Sequence, residues 1–130
     1  TNGGTNVPLI ANWPGKIKAS QVADDLVDFS DFLPTLAEFA KAYLPAGVKL
    51  DGTSFASRLV DGQPSPQTWA FAEHGKKYWV RDQRWKLYDD GTLFDVERDP
   101  REKSPVKELS TEAARAREKL TAVTRSLDYK

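Results

Sequence analysis

The sequence predicts an α+β fold, a four-stranded antiparallel sheet packed on a long C-terminal helix, preceded by the last strand and helix of an incomplete α/β domain. Three observations predict it. Residues 68–97 hold four short segments rich in aromatic and β-branched residues, separated by turn chemistry. Residues 109–127 carry an apolar stripe at helical spacing. Residues 1–45 hold one apolar run and one helix, too little to close a core of their own.

Taken in order, VPLIANW (7–13) is apolar on both faces, as in a buried strand, with a helical turn as the weaker alternative. Pro14-Gly15 stops it. Residues 16–28 read as a short strand or an extended edge. Residues 31–43 predict a helix, capped by Ser30 or Asp31, with Pro34 tolerated in the first turn. Phe32, Leu36, Phe39 or Ala40, and Tyr43 mark its stripe, and Pro45 and Gly47 end it. Residues 44–66 hold three prolines, three glycines and two Asp-Gly pairs, and read as a connector in which 54–60 makes one or two helical turns. The expected division is therefore 1–66 and 67–130.

The segments TWAFAEH, KKYWVRD, RWKLYDD and TLFDVE alternate, with Tyr78 and Val80 set against Lys77 and Arg81, and Trp85 and Leu87 against Arg84 and Lys86. That pattern predicts a meander with one wet face, the Trp side forming the core and the Arg/Lys side facing water. Asp82-Gln83 and Asp89-Asp90-Gly91 supply turns. Ser110 caps a helix over 110–128, whose stripe Leu109, Ala113, Ala116, Leu120, Val123, Leu127 covers the sheet.

Composition narrows the chemistry. Nineteen basic and nineteen acidic residues cancel in 130, so no net field draws the chain to nucleic acid or an anionic membrane. With no Cys, disulfides, thiolate metal sites and thiol nucleophiles are excluded. The single His, His74, precludes a multi-His metal site and has no nucleophile beside it. It is either a rim residue donating a hydrogen bond to a ligand or a solvated turn residue. Arg81, Arg84 and Lys86 interleave with Trp79 and Trp85, but strand alternation assigns rings and charges to opposite faces, against a nucleic-acid platform. Asp89, Asp90, Asp95 and Asp99 do not have EF-hand spacing. No self-sufficient catalytic constellation is present. Opening at Thr1 without Met, the chain reads as a piece of something longer.

Five motifs in order then resemble the C-terminal end of the sulfatase family, the arylsulfatase-type sulfuric ester hydrolases. NGGTNVPLIANWPGKI (2–17) is similar to the family's E-G-G-x-R-V-P-L-I-x-x-W-P-G-x-I. DFLPTLAEFA (31–40) resembles D-x-L-P-T-L-x-x-x-A, and LDGTSF (50–55) resembles L-D-G-x-S. VRDQRWKLY (80–88) is similar to V-R-x-G-x-W-K-L, and LFDVERDPRE (93–102) to L-Y-D-L-x-x-D-P-x-E.

The resemblance implies that 1–66 ends the family's large α/β domain and that 67–130 is its small C-terminal part. It implies a parent that hydrolyses sulfate esters with formylglycine and calcium. No C/S-x-P-x-R motif, the source of formylglycine, occurs here, and none of the family's calcium ligands or active-site Lys and His residues can be carried over. The chain alone is expected to be inactive. His74, in FAEHGKKYWVR, resembles a stretch that often faces the pocket mouth, so His74 is the expected substrate-rim residue, with Lys76 and Lys77 beside it. The implied partner is a sulfated small molecule or carbohydrate, and the implied compartment periplasmic or extracellular. Asn2 stands where the family usually has Glu, Asn6 where it often has Arg, and Gln83 replaces a turn Gly. Without the large sheet, the isolated chain is expected to self-associate. The alternative is a non-catalytic module binding an anionic glycan or a protein partner.

Overall fold

The computed structural model describes residues 4–44 and 46–127, which form two compact units, one of 8–68 and one of 69–127 together with 4–7.

Residues 7–13, most of them in the first unit, are not a strand. No strand among the described residues pairs with them, so Leu9 and Ile10 stay exposed at 48% and 88%. A lone extended segment has no ladder to satisfy its N–H and C=O groups, and apolar character alone cannot supply one. The chain turns at Pro14-Gly15, where the Trp13 carbonyl accepts from Lys16 and Ile17 N–H at 3.0 and 2.9 Å. Residues 16–28 likewise contain no strand.

A turn of 3₁₀ helix, Phe29–Asp31, leads into α1, Phe32–Ala40. Asp28 is the residue that caps this start, accepting from the Ser30 N–H, while the Asp31 carboxylate answers on the Asp28 N–H. The helix ends earlier than its periodicity suggested. Lys41 takes the left-handed conformation at φ 51°, and the N–H groups of Lys41 and Ala42 close onto the Glu38 and Ala37 carbonyls. Pro45, the expected stop, lies outside the described residues. α1 buries Pro34 and Thr35 and leaves Leu33 and Leu36 exposed, unlike the predicted stripe. The second helix, α2, Ala56–Asp61, overlaps the turns expected at 54–60, runs one residue beyond them and ends at Gly62.

Two of the sequence motifs meet here. Asp31 is 1% exposed, and its carboxylate accepts the N–H groups of Asp28 at 2.9 Å and Thr53 at 2.7 Å. The Thr35 hydroxyl donates to the Asp31 carbonyl at 2.7 Å and accepts the Phe55 N–H at 3.1 Å. So DFLPTL clamps LDGTSF through one carboxylate and one hydroxyl. Gly52 must be glycine, because a Cβ there would lie 2.0 Å from the Ser30 carbonyl oxygen. On the same unit Asp25 receives Arg58 Nε at 2.5 Å and the Ser65 N–H at 2.8 Å. Burial raises the Asp25 pKa, but those donors outweigh it and leave the carboxyl below its usual range.

The second unit is the predicted meander and helix. Strands β1 (Ala70–His74), β2 (Lys77–Arg81), β3 (Trp85–Tyr88) and β4 (Leu93–Asp95) lie side by side in sequence order, all antiparallel. Helix α3, Thr111–Ser126, starts at Ser110, whose hydroxyl accepts the Ala113 N–H at 3.2 Å. One sheet face gives Val80, Trp85, Leu87 and Leu93 to the core. Ala113, Ala116 and Leu120 of α3 close over them, the alanines allowing close approach. Arg84 ties sheet to helix, binding Asp95 and Glu112 at 2.8 Å each. At the β2–β3 turn the Asp82 carboxylate accepts the N–H groups of Arg84 and Trp85. Gln83 is not among the positive-φ residues, so its departure from glycine carries no backbone strain.

Candidate functional site

The second face of the sheet corrects the one-wet-face expectation. Lys86 is fully buried rather than solvent-facing. Its ammonium lies 2.9 Å from one carboxylate oxygen of Glu102 and against the rings of Trp79 at 4.4 Å and Tyr88 at 5.0 Å. The Tyr88 hydroxyl donates to the other Glu102 oxygen. Tyr88 also meets Phe94 edge-on at 5.8 Å. Strand parity explains the arrangement, since Trp79 pairs with Tyr88, Arg81 with Lys86, and Lys86 with Phe94. Partners directly opposite share a face, so Trp79 lies with the cations, and only Trp85 lies with the core. Assigning both tryptophans to the core overlooked that Lys77, Trp79 and Arg81 stand at alternate positions. Glu102 was missed because it follows the meander, in a loop where its φ is +54°.

The electrostatics follow from burial. Burial pushes the Lys86 pKa down against the pull of Glu102, and neighbouring Arg81 pushes it the same way. Burial pushes Glu102 up, but the bonds from Tyr88 and Lys86 outweigh it and hold the carboxyl below its usual range. Burial and the Glu102 charge push the Tyr88 phenol up. Among the described residues Tyr88 and Lys86 both donate to Glu102, while the Arg81 charge opposes that of Lys86. Arg81 itself is half-buried. Its guanidinium donates to the backbone carbonyls of Asp82 and Gln83 at 2.9 and 2.8 Å, and burial lowers its pKa.

His74, Lys76 and Lys77 come together at the β1–β2 hairpin tip, all exposed. His74 pairs directly with Lys77 across the ladder, on the Trp79 side of the sheet. Gly75 takes φ +64°, the first central position of a two-residue turn, where glycine is favoured. Asn6 is exposed, and Asn2 lies outside the described residues. Among the described residues no three His, Asp or Glu side chains converge as a metal ion requires. No C/S-x-P-x-R motif, the source of formylglycine, occurs in the chain.

Comparison with known proteins places this architecture. Human arylsulfatase G is 32% identical over 93 residues, covering 66% of this chain and 18% of that protein. An N-acetylglucosamine-6-O-sulfatase of Bacteroides thetaiotaomicron is 30% identical over 114 residues, covering 74% of this chain and 20% of that protein. A solved structure of a protein in complex with its substrate D-glucosamine-2-N,6-O-disulfate matches with TM-score 0.54 and 25% identity, over 75% of this chain and 23% of that one. The chain thus spans about a fifth of the length of such relatives. The family model described as N-sulphoglucosamine sulphohydrolase, C-terminal, matches residues 2–127. With the four-stranded sheet, its C-terminal helix and the motif residues at work in both units, the chain belongs to this C-terminal family of the sulfatases.

Proposed function

We propose that the chain is the C-terminal portion of a sulfatase that hydrolyses sulfate esters of a carbohydrate. In this reading formylglycine and calcium are carried by residues ahead of it, and the chain alone has no turnover. In the longer protein formylglycine would supply the attacking oxygen and calcium would hold the sulfate, and this chain's part is to complete the fold and the substrate rim. One observation carries the reading, the family match over 2–127. Its motif residues hold defined structural posts, Asp31, Thr35 and Gly52 in one unit and Lys86 and Glu102 in the other. Sulfated glucosamine as the substrate class is supported by the ligand bound in a structural relative and by the name of the Bacteroides relative.

His74, Lys76 and Lys77 are assigned to the rim. The hairpin tip projects donors on a short turn, and their chemistry suits a sulfate or carboxylate. The coding sequence upstream of Thr1 tests the whole reading. An in-frame C/S-x-P-x-R motif is expected; a start codon immediately ahead of Thr1, with no such motif, would overturn it. In the longer protein, His74→Ala is expected to raise KM for a sulfated sugar with kcat little changed.

A further inference from the structure

The geometry points to a sugar-binding strip that runs from the hairpin tip down β2. In it, Trp79 stacks on a pyranose ring while Lys77 and Arg81 take the anionic groups on either side. The inference deepens the proposed function and rests on it only for the class of sugar. Lys77, Trp79 and Arg81 occupy alternate positions of one strand, so they share a face at steps of about 6.8 Å. Their β1 partners on that face are His74, Ala72 and Ala70. The two alanines flank Trp79 and Arg81 with minimal bulk, and His74 adds a donor next to Lys77.

Trp79 is half-buried, and the Lys86 ammonium lies over its ring at 4.4 Å. Lys86 is fully buried among Trp79, Tyr88 and Glu102 and takes one face of the indole, so a ligand would stack on the other face. An apolar ring face beside fixed cations is the combination that an anionic sugar needs, C–H surface for the indole and sulfate or carboxylate for the nitrogen donors.

The charge balance favours an anion. Glu102 is matched by Lys86, and Asp90 shares the field of Lys77. Arg81 feels the Asp82 and Glu102 charges but has no carboxylate at ion-pair distance among the described residues, and those two are engaged by Lys119 and Lys86; its Nε and Nη2 are spent on two turn carbonyls that fix the plane of the guanidinium. A half-buried cation held in place this way is preorganised for a planar or tetrahedral anion rather than for water.

The test titrates the chain with D-glucosamine-2-N,6-O-disulfate, with unsulfated glucosamine and with inorganic sulfate, reading the tryptophan indole N–H signals by NMR. The Trp79 signal is assigned by its loss in Trp79→Phe. The disulfated sugar is expected to shift that signal saturably, with affinity falling about tenfold in Arg81→Gln. Lys18→Gln, in the other unit, serves as the unchanged control. No shift with the disulfated sugar, or equal binding by inorganic sulfate, would overturn the strip. The two readings fail separately. Binding here without an upstream C/S-x-P-x-R motif would sink the sulfatase reading and leave the strip; the motif without binding would do the reverse.

Discussion

Replacing Lys86 with Met removes the cation from a carboxylate that is 3% exposed while keeping most of the side-chain volume. Breaking a buried ion pair from one side costs about 3–5 kcal/mol, because the remaining charge is left without compensation. Here the Tyr88 bond persists and the Arg81 charge still acts on Glu102, so the lower half of that range is expected. Against a domain stability of about 5–15 kcal/mol, this is a large share. With a urea m-value of about 1–3 kcal/mol/M, the unfolding midpoint should fall by about 2 M. Trp79 and Trp85 belong to this unit, so fluorescence-monitored urea unfolding, checked against near-UV circular dichroism, reads the loss. The double variant Lys86→Met/Glu102→Leu should recover much of it, since no bare charge remains. The pH dependence has a definite sign. The folded state holds Glu102 below its usual value near 4.5, so the pair's contribution is complete above that value and is lost as pH falls through the folded one. A midpoint unchanged in Lys86→Met, or a double variant weaker than the single, would refute the account of the pair as a mutually dependent buried charge cluster.

Gly52→Ala should destabilise the first unit by about 1–3 kcal/mol or more, because the added methyl meets the Ser30 carbonyl; thermal unfolding followed by circular dichroism measures it. Ser110→Ala removes the hydroxyl that accepts the Ala113 N–H and should cost about 1 kcal/mol, with Ser110→Gly costing less, as read by urea unfolding. The isolated chain should self-associate through the apolar surface it leaves exposed, including Ile10, Phe29 and Leu36. Light scattering across a concentration series would show a rising mass, and a constant monomer mass would contradict it.

The elements with their own local signals were legible from residues alone. Four aromatic segments with turn residues between them gave four strands in sequence order, and Ser110 with the Ala/Leu stripe gave α3. The hairpin tip carrying His74, Lys76 and Lys77 was legible for the same reason, since Gly75 marks a tight turn. What fails locally depends on neighbours far along the chain. The run 7–13 has strand character, but a strand exists only when a second chain segment satisfies its backbone, and none among the described residues does so. α1 stops at Lys41 because two carbonyls are closed by a left-handed residue, although the apolar period runs on to Tyr43.

Alternation along β2 and β3 sorts side chains into two sets, and that much the amino-acid order determined, although Trp79 belongs to the set opposite the one expected for it. Whether the second set met water or protein was decided by the loop that brings Glu102, sixteen positions beyond Lys86, under the Tyr88 hydroxyl. A lysine in a strand is ordinarily wet because desolvating an ammonium is costly. Only a carboxylate and two ring faces delivered by tertiary structure offset that cost, and periodicity cannot encode their arrival.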